Sequence, residues 1–158
     1  MGNDKIELQL CKIHSRSYCL LVGNGTCGLM LCLQALGLKK KKVAIPDSVC
    51  INVPLSVFYT DNIPLYIDIE FDNFGPSVAD IKSKSLELDA IIAVHGYGYP
   101  CRINEIEFIS KLYNRPLIED ACLVQGGSLD KRPLGSFGVA SVVSFGAGKP
   151  ISIGQGGA

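Results

Sequence analysis

The sequence predicts an α/β domain built on a mostly parallel sheet with helices on both faces. Three observations carry that expectation. Strand-like and helix-like segments alternate from Tyr18 to Ser144, the order that produces parallel strands joined by covering helices. The chain is 47% hydrophobic and holds 17 glycines, which suits a tightly wound fold and not a disordered or fibrous one. Its 158 residues make one domain, enough to bury roughly two thirds of the unfolded surface.

Taken in order, residues 1–17 are polar and mixed and read as an N-terminal arm or helix ending in His14-Ser-Arg-Ser17. Tyr18 to Val22 is apolar and predicts a short buried strand. The turn Gly23-Asn-Gly-Thr-Cys-Gly28 follows, and apolar residues then recur at helical spacing from Leu29 to Leu38. Val43-Ala-Ile45 predicts a strand halted by Pro46. Asn52 to Thr60 predicts a helix, with Pro54 tolerated in its first turn. Pro64 to Asp68 is a strand, Val78 to Leu86 a helix, and Asp89 to His95 a strand running into Gly96-Tyr-Gly-Tyr-Pro100. Ile103 to Tyr113 is an amphipathic helix, Pro116 to Glu119 a strand, and Val139 to Ser144 the last strand. Ligands of such sheets collect at the carboxyl ends of the strands.

Composition excludes several classes. Formal net charge is zero, so there is no electrostatic footprint for nucleic acid or an anionic membrane. The one basic run, Lys39 to Lys42, lies between a helix and a strand and reads as a solvated turn. The seven cysteines are scattered without a C-x-x-C pair, which argues against a metal site or disulfide framework and for reduced, buried thiols. No charged-then-apolar leader and no apolar run of about 18 residues occurs, so a cytoplasmic protein is expected.

Four segments carry chemistry. Gly23-Asn-Gly-Thr-Cys-Gly28 stands where a strand feeds a helix, and backbone N–H groups there can cradle an anion, with the Thr26 hydroxyl adding a donor. The same residues spell G-x-G-x-x-G, with Asp47 near the spacing of a ribose-binding acid, so a nicotinamide-binding fold stays open, as does a purely structural turn. Ile118-Glu-Asp-Ala121 sets two carboxylates at a strand end, where alternation lets only one face a ligand. Asp120 could hold a protonated ring nitrogen or cap a helix. His95 ends a strand and reads as a structural histidine, with catalysis as the lesser alternative. Ser141-Val-Val-Ser-Phe-Gly-Ala-Gly-Lys149 opens into a small-residue turn carrying Ser144 and Lys149. A lysine partly desolvated at such a mouth is a potential nucleophile; a solvated surface lysine is the commoner fate.

Asn24-Gly-Thr-Cys-Gly-Leu29, Ile45-Pro46, Tyr66-Ile-Asp68, Val94-His-Gly-Tyr-Gly98, Ile118-Glu-Asp-Ala121, Ser144-Phe145 through Lys149 and Gly154-Gln-Gly-Gly157 follow one another in a known order. From about residue 18 onward the chain resembles the DegT/DnrJ family of pyridoxal-phosphate-dependent nucleotide-sugar aminotransferases, of the aspartate-aminotransferase-like fold. The resemblance implies that Lys149 links pyridoxal 5'-phosphate (PLP) covalently and Asp120 pairs with its pyridine nitrogen. It also implies that Gly25, Thr26, the amides around Cys27, and Ser144 bind the phosphate. Sister dehydratases of the family carry histidine at the lysine position, so Lys149 favours amino transfer. The chain departs from the family pattern at Asn24, Cys50, Leu123, Gln125 and Gln155.

The resemblance thus implies a PLP-transferase type I large domain, truncated before the C-terminal small domain. Residues 1–17 would form an arm and residues 18–158 an incomplete cofactor-binding domain. The implied reaction moves an amino group from glutamate to a keto-sugar attached to a nucleotide, in an enzyme that is a homodimer at full length. A nicotinamide-binding Rossmann domain, a non-catalytic PLP-binding relative and a purely structural domain are the alternatives.

Overall fold

The computed structural model describes residues 3–158. Of the expected N-terminal arm, residues 1 and 2 lie outside the described residues, and Asn3–Ile13 forms helix α1. Along the chain follow α2 (Gly25–Ala35), β1 (Lys42–Pro46), α3 (Asn52–Tyr59), β2 (Ile63–Ile67), α4 (Val78–Ser83), β3 (Ala90–Val94), α5 (Ile103–Leu112) and β4 (Leu117–Asp120). A short hairpin, β5 (Ser128–Leu129) with β6 (Arg132–Pro133), precedes β7 (Ala140–Val142). The main sheet has the order β2-β1-β3-β4-β7, and every pairing in it is parallel.

Alternation along each strand divides the core in two. Ala44, Ile91, Ala93 and Leu117 point into one cluster with Leu10 of α1, Ile81 of α4, and Ile103 and Ile106 of α5. Val43, Ile45, Ile92, Ile118 and Val142 point into the other, against Leu29 and Leu33 of α2 and Val53 and Val57 of α3. Each fully buried Ile or Leu contributes about 1.5–3 kcal/mol, so helices on both faces hold the sheet.

Two local features differ from the sequence expectation. Tyr18 to Val22 is not a buried strand: Val22 alone forms a bridge, to Gly157, while Tyr18 is 91% and Leu20 63% exposed. A strand needs hydrogen-bonding neighbours, and among the described residues none flanks Tyr18 to Leu20. Helix α2 begins at Gly25, inside the glycine turn, rather than at Leu29. Asn24 starts it, its side-chain oxygen accepting the Cys27 N–H at 2.8 Å. The helix ends at Ala35, and past its cap Leu36 the φ of +67° at Gly37 lets Leu38 N–H reach the Leu33 carbonyl. The hairpin was not legible: its turn residues Asp130 and Lys131 both take left-handed φ without a glycine to signal it.

The segment 134–138 carries the chain from the hairpin into β7 and is held from three sides. His14 Nδ1 donates to the Leu134 carbonyl at 2.8 Å. Arg16 donates to the carbonyls of Gly135, Phe137 and Gly138. Arg132 lies 3.7 Å from the centre of the Phe137 ring and makes a forked pair with Glu107 at 2.8 and 3.0 Å. Glu107 also accepts the Gly138 N–H at 2.9 Å.

The Arg132 hydrogen bond, helped by Gly138 and Lys111, holds the Glu107 carboxyl down to about 2 from its ordinary 4.5. A carboxyl depressed on folding stabilises the fold above its unfolded value, and that contribution is lost as pH falls toward its folded value. Acid unfolding followed by circular dichroism should therefore show stability declining between about pH 4.5 and pH 2. Glu107→Gln should be less stable at neutral pH by about 1–2 kcal/mol, the exposed guanidinium limiting the effect, and should show a flatter acid limb. Coincident acid limbs for the two proteins would show that Glu107 does not carry this dependence.

Candidate functional site

The site lies at the carboxyl end of the sheet, where β4 and β7 stop side by side with Asp120 in register with Val142. Glu119 and Asp120 are adjacent, both buried, and point to opposite faces. Glu119 turns into the α5 side. Its Oε1 accepts the Gly135 N–H at 2.7 Å and the His95 Nε2–H at 3.0 Å, and its Oε2 accepts the Phe137 N–H at 2.7 Å. His95 Nδ1 accepts the Cys101 N–H at 3.1 Å, so the hydrogen-bond network puts the ring proton on Nε2. His95 is fully buried and fully paired, a structural histidine.

Asp120 turns to the α2 side, with Ile118 and Cys122. Its Oδ1 accepts the Cys122 N–H at 3.1 Å, closing a turn rather than capping a helix. Cys122 is the hub of this face. Burial first, and the Asp120 carboxylate second, push its thiol far up, while the Lys149 ammonium opposes them and Cys50 adds a small upward push. Asp120 bonds the Cys122 backbone, and the start of α2 at Gly25 comes up against the Cys122 sulfur.

The glycine turn closes the same space. A Cβ added at Gly25 would stand 3.1 Å from Cys122 Sγ and 3.2 Å from Ser144 Cβ, so the start of α2 meets the chain just past β7. At Gly28 an added Cβ would come within 2.8 Å of Val142 Cγ1, so only glycine lets the helix lie this close to the strand. The Cys27 amide is already taken by Asn24. Among the described residues the amides of Gly25 and Thr26 have no hydrogen-bond partner, and Thr26 is half-buried beside them. Ser144 is buried, and its hydroxyl accepts a 3.4 Å contact from the Gly146 N–H.

The chain after Lys149 returns to lock this corner. Val143 and Ala158 exchange backbone hydrogen bonds at 2.9 and 3.1 Å, and Val22 and Gly157 do so at 2.9 and 3.0 Å. Gly157 fits because an added Cβ would strike the Asn24 carbonyl carbon and the Val143 carbonyl oxygen, each at 2.8 Å. The structure therefore brings together Gly25, Thr26, Asp120 and Ser144, with the exposed Cys27 at their margin and half-buried Lys149 on the turn that follows Ser144, its N–H donating to the Gly146 carbonyl. Sequence reasoning missed Cys122, whose signal was its position two residues past Asp120 on the same face. It also missed the contact of Gln125, whose side-chain amide donates to the Ser144 carbonyl. Only Cys101 and Cys122 of the seven cysteines are buried; Cys27 and Cys50 are exposed because they lie on turns at helix starts.

A model of the DegT/DnrJ/EryC1/StrS aminotransferase family matches residues 2–158. The chain belongs to this family. It is 33% identical over 155 residues to a GDP-perosamine synthase of Escherichia coli O157:H7, covering 97% of this chain and 43% of that protein. It is 32% identical over 157 residues to a dTDP-4-amino-4,6-dideoxy-D-glucose transaminase of Shigella dysenteriae, covering 99% and 42%. The solved aminotransferase from Psychrobacter cryohalolentis superposes with a TM-score of 0.92 at 25% identity, over 98% of this chain and 40% of that one. The chain thus spans about two fifths of the length of the curated relatives it matches.

A nicotinamide-binding Rossmann arrangement is overturned. That motif needs its glycine turn on a strand next to the one carrying the acid. Here the glycine turn joins the sheet through Gly157, beyond β7, whereas Asp47 follows β1, with β3, β4 and β7 between.

Replacing Glu119 by Gln sets an amide NH2 against N–H donors in a dry site. Glu119→Gln should cost about 2–4 kcal/mol in denaturant unfolding, whereas an exposed control such as Glu105→Gln should change little. A shift below about 0.5 kcal/mol would mean that the carboxylate adds nothing to the hold on segment 134–138.

Proposed function

We propose that the chain is the cofactor-binding part of a PLP-dependent aminotransferase that acts on a keto-sugar carried by a nucleotide. The observation that supports this most is the meeting of a buried carboxylate, Asp120, and a glycine-walled anion cradle at Cys122 and Ser144, with Lys149 on the turn that leads on from Ser144. These groups fit the chemistry of PLP. The unpaired Gly25 and Thr26 amides, the Thr26 hydroxyl and the Ser144 hydroxyl suit a phosphate, with the helix N-terminus favouring negative charge. Asp120 is buried where a charge-assisted bond to a protonated ring nitrogen is worth about 1.5–3 kcal/mol. Lys149 has no ion-pair partner among the described residues and stands on a glycine turn, free to link a carbonyl carbon. When bound, PLP supplies the electron sink that amino transfer requires. The Lys149 amine is then the base at hand to move a proton at the substrate carbon.

The substrate class rests on the relatives, two of which are named for sugars attached to GDP or dTDP. Glutamate as amino donor, a homodimer at full length and a cytoplasmic location belong to this proposal on the resemblance alone. So does the division into an arm of residues 1–17 and a cofactor-binding unit of residues 18–158. Among the described residues no helix is long and apolar enough to cross a membrane.

Incubation of the chain with PLP, borohydride reduction and peptide mass spectrometry should place a phosphopyridoxyl group on Lys149. Lys149→Ala should lose it, and Thr26→Val and Ser144→Ala should each weaken cofactor binding about tenfold with the fold intact. A label on other lysines, or a phosphate affinity untouched by both hydroxyl deletions, would overturn the assignment.

A further inference from the structure

The ladder between β4 and β7 ends one rung short of the candidate site. The Ala121 N–H donates to the Val142 carbonyl at 2.9 Å, the last backbone bond between these two strands among the described residues. In a parallel pair the residues that face the neighbour recur at every second position, so the next rung would run from the Leu123 N–H to the Ser144 carbonyl. The chain turns instead: Val124 N–H donates to the Ala121 carbonyl at 3.2 Å, and Gly127 N–H to the Val124 carbonyl at 3.0 Å. The missing donor comes from a side chain, the Gln125 amide, which donates to the Ser144 carbonyl. We propose that Gln125 is a positioning residue of the site, holding Ser144 so that its hydroxyl meets the cofactor phosphate. This role rests on PLP being the cofactor.

Ser144 needs a hold on this side. Its neighbours Val143 and Phe145 face the other way and donate to the Ala158 and Gly156 carbonyls, at 2.9 Å each. Those bonds leave the β4 side of the strand end to Gln125 alone, and Ser144 there is only 7% exposed. A buried carbonyl without a donor is costly, so removing the Gln125 amide lets the strand end shift. The Ser144 side chain shares the face of Val142 two residues earlier, which is the face of Asp120 and α2. It has little slack: a Cβ added at Gly25 would stand 3.2 Å from Ser144 Cβ and 3.7 Å from its Oγ.

Gln125 also sets a spacing. The turn that carries it starts at Asp120, whose Oδ1 accepts the Cys122 N–H at 3.1 Å. The side-chain bond therefore ties the stretch bearing the Asp120 carboxylate to the stretch bearing the Ser144 hydroxyl. PLP presents its ring nitrogen and its phosphate from one rigid ring, so the two protein groups serve it together only at a fixed separation. The Gln125 amide is uncharged, so it braces the cradle without adding repulsion toward an anion.

The test compares PLP with pyridoxal, the same ring without the phosphate, on the 158-residue chain and its variants, read as adduct trapped by borohydride. Gln125→Met keeps the length of the side chain and removes the donor. It should weaken PLP binding about tenfold and leave pyridoxal binding within about twofold. Gln125→His at about pH 8, where the neutral imidazole still carries an N–H, should bring PLP binding back to within about threefold of the unaltered chain. In a Ser144→Ala background Gln125→Met should cost less than about twofold, because the hydroxyl it aims is gone. Equal losses of PLP and pyridoxal, no rescue by histidine, or an undiminished loss in the Ser144→Ala background would each reduce Gln125 to support of the fold and overturn the proposal. A preference for PLP that survives Gln125→Met would overturn this role alone. An unaltered chain that binds PLP no better than pyridoxal would overturn the proposed function, and the role of Gln125 with it.

Discussion

One buried carboxylate ties the two halves of this structure together. Glu119 has no exposed surface, and it accepts three hydrogen bonds, from Gly135, Phe137 and His95. An unpaired carboxylate would be prohibitively costly there, so its three donors and the nearby Arg16 and Arg132 guanidinium groups must be in place. Those partners come from the end of β3, the 134–138 segment and the stretch after α1. The position of β7, and of everything that follows it, depends on that knot.

Because successive strand residues alternate, fixing Glu119 toward α5 fixes Asp120 toward α2. The same step that satisfies a structural charge delivers a second, differently placed carboxylate to the site. The division of labour is strict: Glu119 is consumed by two backbone donors and the His95 ring, while Asp120 is bonded by Cys122 and keeps an oxygen available. On its own face Asp120 meets the first turn of α2, drawn close by Gly25 and Gly28 against Cys122, Ser144 and Val142. Close approach is possible there only because those positions lack a Cβ.

Much of the fold was legible from local pattern. The apolar runs at Val43-Ala-Ile45 and Asp89–His95 became central strands, and Ile103–Tyr113 became α5 with one apolar face, because buried strands and amphipathic helices carry their period in sequence. Tyr18–Val22 carried the same apolar signal and failed, since strand formation also needs partners that no local pattern records. The β5–β6 hairpin failed in the opposite sense: Asp130 and Lys131 adopt left-handed geometry that their identities do not advertise.

The order of motifs in the sequence by itself determined the family, the parallel α/β class and the residue types of the candidate site. Residue identity and spacing along one chain suffice for those. Which carboxylate faces which side, that His95 is spent on Glu119 and Cys101, that Cys122 is the hub of the site face, and that the glycine turn lies beyond β7 and not beside β1 were decided only in three dimensions. Each depends on contacts between segments far apart in sequence, where sheet order and side-chain parity, not local propensity, set the outcome.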